Sequence, residues 1–142
     1  MAKRQDSRKE GEINPSVSAR IEDARRNGAT VLNLAEKKLT ELPESIGQLS
    51  QLQHLDLSNN PLTELPEWIG QLSELQRLDL FHNPLTELPE SIGQLTQLQN
   101  LDLSHNQLTV LPDSIGQLTQ LQILSFSGSQ LTKCNRSDGL EQ

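Results

Sequence analysis

The sequence is poor in the residues that usually fill a protein interior. Aromatics make up 2% of the 142 residues, as two Phe, one Trp and no Tyr. A single globular core takes much of its buried area from such side chains. Here leucine must supply nearly all of it, through many small equivalent sites. The chain has one cysteine, Cys134, which excludes an internal disulfide and any fold that depends on one. No apolar run reaches the length of a membrane span, and residues 1–30 hold none of signal-peptide length. These absences point to a soluble cytoplasmic protein with no membrane contact.

Positive charge is scarce outside the start of the chain. The formal net charge is −7, yet residues 1–30 carry seven Lys/Arg against five Asp/Glu, while residues 31–142 carry five against fourteen. An acidic body excludes nucleic acid as the main partner, because phosphate recognition needs a basic face. The basic start (Lys3, Arg4, Arg8, Lys9) reads as a solvated, disordered tail over residues 1–15.

What is present is a repeat. From Leu32 the sequence recurs every 23 residues, with units starting at Leu32, Leu55, Leu78, Leu101 and, incompletely, Leu124. Compare LDLSNNPLTELPEWIGQLSELQR with LDLFHNPLTELPESIGQLTQLQN. Leu55 and Leu57 are two apart and so point to one side of a short strand. Asn60 follows at a corner, where its amide can bond backbone groups that the turn leaves unpaired. Leu62 and Leu65 run inward, and Pro66 ends that segment by fixing φ and removing a donor. Ile69, Leu72 and Leu75 then recur at intervals of three, which suits a 3₁₀ or short α-type return.

One unit is thus a coil of strand, turn and helical return. No coil buries its leucines alone; stacking joins them into one continuous core and makes the strands a parallel sheet along one face. The expected fold is α/β, a curved right-handed solenoid with its sheet on the concave face and its returns on the convex face. Four full units and one incomplete unit span 32–132. Asn60, Asn83 and Asn106 predict a structural ladder, from which Lys37 and Ser129 depart in the end units.

The pattern Leu52-x-x-Leu55-x-Leu57-x-x-Asn60-x-Leu62-x-x-Leu65-Pro66-x-x-Ile69-x-x-Leu72 resembles the leucine-rich-repeat superfamily. Its L-P-x-x-I-G-x-L form is similar to the cytoplasmic, Ras-associated branch. The stretch ARIEDARRNGATVLNLAEKKLTELP at 19–43 is also similar to the start of the repeat region in bacterial Roco proteins. Those repeats precede a Ras-like GTPase domain, whereas this sequence has no phosphate-binding glycine loop. The resemblance implies a signalling context, with a small GTPase or a kinase as candidate partner.

The two ends differ. Residues 16–31 are expected to cap the first coil, with a helix over 16–27. Ser16 or Ser18 would start it, Gly28 would end it, and Ile21 and Ala24 would face inward. At the other end the last unit keeps Leu124, Phe126 and Leu131, but has Cys134-Asn135 where Leu-Pro stood before. Residues 133–142 read as an irregular polar tail. Three readings stand: a degenerate cap, a fragment of a longer protein, or an end covered by a partner chain, self-association included. The fragment or truncated paralogue is favoured, because the repeat stops rather than tapering into a helix.

Function is expected on the sheet face, at positions alternating with the buried leucines. In a stacked sheet equivalent residues lie about 4.8 Å apart, so each column is a stripe. Asp56, Asp79 and Asp102 form an acidic one, readable as a contact for a basic partner or as a solvated column copied by duplication. Phe81 stands where other units have Ala or Ser, with Arg77 nearby, and is either a binding hot spot or a lone surface aromatic. His54, His82, Asn100 and His105 complete the candidate partner-binding set. Trp68 replaces Ser45, Ser91 and Ser114 on the convex return, as packing or as a second contact surface.

His82 and His105, with Asp79 and Asp102, hold metal-ligand chemistry, but repetition rather than convergent loops places them, so no metal is expected. No catalytic arrangement and no cofactor motif appears. The sequence therefore reads as a protein-binding module rather than an enzyme. The alternative is a truncated sensor segment of a multidomain Roco-like GTPase or kinase protein, without activity of its own.

Overall fold

In a computed structural model, residues 15–129 and the two-residue strand Lys133–Cys134 are described. Residues 1–14 of the expected tail over 1–15, Leu131 and the segment after Cys134 lie outside the described residues.

Helix α1 spans Pro15–Asn27. Pro at the first helical position loses nothing, since its missing N–H would have had no partner in the helix. The start lies one residue before the expected bound, so Ser16 and Ser18 fall within the first turn rather than ahead of it. The chain leaves the helix at Gly28, whose φ is +61°, and residues 28–30 belong to the connection rather than to a cap extending to 31. Val17, Ile21 and Ala24 are buried against the first coil. The outer face carries Arg25 paired with Glu22 and Arg26 with Asp23.

Five strands follow at one per coil: β1 (Val31–Asn33), β2 (His54–Asp56), β3 (Arg77–Asp79), β4 (Asn100–Asp102) and β6 (Ile123–Ser125). They form one parallel sheet in the order β1-β2-β3-β4-β6. The register sets Leu32, Leu55, Leu78, Leu101 and Leu124 side by side. The register offset equals the sequence period, so every coil returns its chain one strand over. The ladder also outlasts the three-residue strands. Leu57 N–H donates to the Asp79 carbonyl at 2.9 Å and Asn59 N–H to that of Phe81 at 2.8 Å, with equivalent bonds in the neighbouring coils.

The returns resolve as 3₁₀ turns: η1 (Glu44–Gln48), η2 (Glu67–Gln71), η3 (Glu90–Gln94) and η4 (Asp113–Gln117). Each follows an extended proline whose carbonyl accepts from the isoleucine N–H at 3.1 Å. The leucine and isoleucine columns from Leu34 to Leu118 line one continuous core. Each fully buried aliphatic side chain contributes about 1.5–3 kcal/mol.

Coils fit closely on the convex side because Gly of one return meets Ser of the next. A Cβ on Gly93 would lie 2.6 Å from Ser114 Cβ and 2.7 Å from its carbonyl oxygen. Ser91 and Ser114 are buried by this fit, and neither Oγ has a hydrogen-bond partner. Trp68 takes the serine position in η2, and its ring lies over Gly47, half-buried against the core.

The final coil departs from the expected irregular tail. Lys133–Cys134 forms β7, paired in parallel with β5 (Val110–Leu111) in a second, two-stranded sheet. Cys134 sits opposite Leu111, the Leu of the preceding Leu-Pro pair. The coil therefore keeps its backbone path for two residues after its side-chain pattern has changed.

Candidate interaction surface on the sheet face

The Asn corner holds the coils together beneath the surface. Asn60 Nδ2 donates to the carbonyls of Leu34 (3.0 Å), Leu57 (2.9 Å) and Ser58 (3.2 Å), and its Oδ1 accepts from the N–H groups of Lys37 and Leu39. One side chain thus satisfies backbone groups of its own coil and the coil before. Asn83 and Asn106 repeat the pattern one and two coils on. Ser129 does not wholly leave this ladder, since its Oγ donates to the Leu103 carbonyl at 3.2 Å.

Above the corner, the outward residues form columns in register. The first is Val31, His54, Arg77, Asn100 and Ile123; the second is Asn33, Asp56, Asp79, Asp102 and Ser125. The acidic stripe is not uniform. Asp56 Oδ1 accepts from the Ser58 N–H (3.0 Å) and hydroxyl (2.7 Å), and Asp102 Oδ1 from the Ser104 N–H (2.9 Å). Asn33 makes the same local bond to the Ala35 N–H. At three coils, then, this column caps its own turn, a role the sequence reading did not foresee.

Asp79 is the exception. His54 Nε2 lies 3.0 Å from Asp79 Oδ2, and Arg77 Nε lies 3.3 Å from the same oxygen. A carboxylate only accepts, so Nε2 of His54 carries the proton here. Arg77 therefore partners Asp79, whereas the expected neighbour Phe81 belongs to a different cluster.

Phe81 is 37% exposed and packs with two imidazoles. Its ring centroid lies 5.8 Å from that of His82 and 5.4 Å from that of His105, the latter edge-on; the two histidines lie 6.4 Å apart, also edge-on. The histidines stand at corner positions with φ of +60°, in a column whose other members, Glu36, Asn59 and Gly128, are also left-handed. His82 Nδ1–H donates to Asn59 Oδ1 at 2.8 Å. His105 leans over Gly128, where a Cβ would come within 3.0 Å of its ring. Among the described residues, no group of three or more His, Cys, Asp or Glu is placed to hold a metal ion. His82 and His105 meet edge-on instead.

Beside this cluster lies an open groove of about 430 Å³, lined by Asn59, Asn60, Pro61, His82, Asn83, Pro84 and Gln107. None of its lining residues except His82 was among the candidate partner-binding residues. The signal was there: Asn-Pro follows the strand in the second and third coils, where the first has Lys37-Lys38 and the fourth Asn106-Gln107.

A 23-residue coil with a parallel sheet on one face, an asparagine ladder at the corner and 3₁₀ returns defines a leucine-rich-repeat solenoid. Residues 69–138 match the family described as leucine-rich repeat region, and residues 27–85 match the leucine rich repeat family. The chain belongs to the leucine-rich-repeat superfamily. Among solved structures it is similar to a leucine-rich-repeat protein of Leptospira interrogans, with 41% identity and a TM-score of 0.67 over 80% of this chain. The chain spans 35% of the length of that relative. No curated protein matches the sequence. No helix among the described residues is long and apolar enough to cross a membrane.

Proposed function

We propose that this chain is a protein-binding module whose partner docks on the sheet face, at His54, Asp56, Arg77, Asp79, Phe81, His82, Asn100, Asp102 and His105. Leucine-rich-repeat domains generally mediate protein–protein interaction and are typically non-enzymatic scaffolds. The observation that carries the reading is where apolar side chains are exposed. Of the four large exposed hydrophobics among the described residues, Val31 (55%), Phe81 (37%) and Ile123 (53%) lie on the sheet face, and only Val110 does not. A rigid face loses little ordering entropy on binding, and an aromatic at its centre is the residue type that dominates interface energetics.

The resemblance to Ras-associated and Roco repeats favours a cytoplasmic signalling role, with a small GTPase or kinase as partner. The test is a pull-down from native lysate with mass-spectrometric identification, comparing the natural chain with Phe81→Ala/Asp79→Lys. Partners absent from the variant support the reading. If every captured partner survives the double change, the sheet face is not the docking site.

A second reading is self-association along the last coil. It is favoured by the exposed Ile123 on β6, the last strand of the main sheet among the described residues, and by half-buried Leu121 and Phe126. Light scattering over a concentration range tests it, and a strict monomer throughout removes it.

A further inference from the structure

We propose that the groove between Asn59–Pro61 and His82–Pro84, which shares His82 with the Phe81–His82–His105 ring cluster, receives an aromatic side chain from a peptide segment that also carries a lysine or arginine. The inference rests on the sheet-face reading above and narrows it to one place and one partner chemistry.

Three observations converge at this place. First, the groove and the ring cluster adjoin, since His82 belongs to both. Second, the groove is open and bordered by the pyrrolidine rings of exposed Pro61 and half-buried Pro84. A shallow apolar groove buries a flat side chain more completely than a branched one. The rings of Phe81 and His105 already stand edge to face, leaving ring faces and edges for a third aromatic in the geometries such rings prefer. Third, the imidazole of His82 is held by its bond to Asn59, so this part of the lining is ordered before the partner arrives.

Charge selects the rest of the segment. Asp56 and Asp102 lie on the strands either side of β3, each about 8 Å diagonally from Phe81. Each commits Oδ1 to its own turn, and Oδ2 of each makes no bond among the described residues. Asp79 offers less, because His54 and Arg77 already engage it. Residues 31–142 carry a formal balance of nine negative charges, which repels acidic partners and steers basic ones.

The repeat supplies test substitutions that other coils already accommodate. Phe81→Ser installs the residue of Ser58 and Ser104, Pro61→Gln and Pro84→Gln that of Gln107, and Asp56→Asn or Asp102→Asn that of Asn33. Asn33 makes the turn-capping bond itself, so the charge is removed while the cap remains.

The experiment is selection of random dodecapeptides displayed on phage against the immobilised full chain, followed by titration of the enriched synthetic peptides. Enrichment of Trp, Tyr or Phe within a few residues of Lys or Arg is expected. The Phe81→Ser/Pro61→Gln/Pro84→Gln chain should bind those peptides at least tenfold more weakly while still unfolding in one cooperative transition at a modestly lower temperature. The Asp56→Asn/Asp102→Asn chain should bind a few-fold more weakly and with a smaller salt dependence.

A consensus without an aromatic, an acidic consensus, no enrichment, or affinity indifferent to the groove variant would each overturn the proposal. Peptides that ignore the groove variant but are lost on Asp79→Lys would overturn the groove alone and leave the sheet face as the docking site. Peptides indifferent to both would remove both.

Discussion

At the corner of the solenoid, the second, third and fourth coils place the same side chain, Asn60, Asn83 and Asn106, into the same carbonyl bonds. One residue earlier, at the same left-handed corner, the coils carry Glu36, Asn59, His82, His105 and Gly128. The two columns share a backbone and differ only in which way they face. The inward one is fixed by groups that cannot be left unpaired away from water, since each orphaned buried donor or acceptor costs about 1–3 kcal/mol. The outward one needs only to tolerate φ near +60°, which Gly permits and to which Asn and His are better suited than most other residues. Repetition therefore reports the scaffold, and departures from it report what the scaffold presents.

That contrast can be broken from the inward side first. Asn83→Ala removes the donors to the Leu57, Leu80 and Phe81 carbonyls and the acceptor for the Leu62 N–H. It should cost about 3 kcal/mol in chemical denaturation. Ser129→Ala, which loses one bond at the last coil, should cost about 1 kcal/mol or less. Equal losses would mean that the ladder is not what joins the central coils.

Gly93→Ala tests the convex fit. The added methyl meets the backbone carbonyl of Ser114 as well as its Cβ, and backbone cannot swing aside. A destabilisation of about 2 kcal/mol is expected in the same assay. A neutral result would show that the returns are loosely stacked.

The acidic column sharpens the comparison, because it belongs to both sides. Asp56→Ala should lose about 1 kcal/mol, since the Ser58 N–H and hydroxyl lose their acceptor, while Asp56→Asn should be close to neutral. If the two substitutions behave alike, Asp56 acts through charge alone and not as a cap.

The sequence made the coil legible because its period, its leucine spacing and its Asn corner all follow from local geometry that repeats. Leu55, Leu57, Leu62, Leu65, Ile69 and Leu72 are all buried where their spacing placed them. Other features were not legible, for physical reasons that differ. A carboxylate that caps its own turn, like Asp102, is the same letter as one aimed at solvent. Ser91 and Ser114 look like surface residues until Gly70 and Gly93 of the preceding coils are set against them. The groove at Pro61 and Pro84 arises between coils, so each Asn-Pro pair marks its rim but no single unit contains it. Strand β7 was hidden because Cys134 breaks the leucine pattern while its backbone stays in register with Leu111.

The separation of scaffold from recognition is tested most directly at Phe81, which stands in an outward column of the central coil. The measurement is the dissociation constant of an enriched aromatic-basic peptide for the Phe81→Ser chain, with folding verified by its melt. Phe81→Ser gives up two ring contacts, which costs about 1 kcal/mol and leaves the chain folded, so a tenfold change in binding to the folded chain belongs to the face and not to the fold. At least tenfold weaker binding with a melt lowered by only a few degrees is the predicted result. Unchanged affinity, or a loss of affinity that tracks a loss of stability, would contradict it.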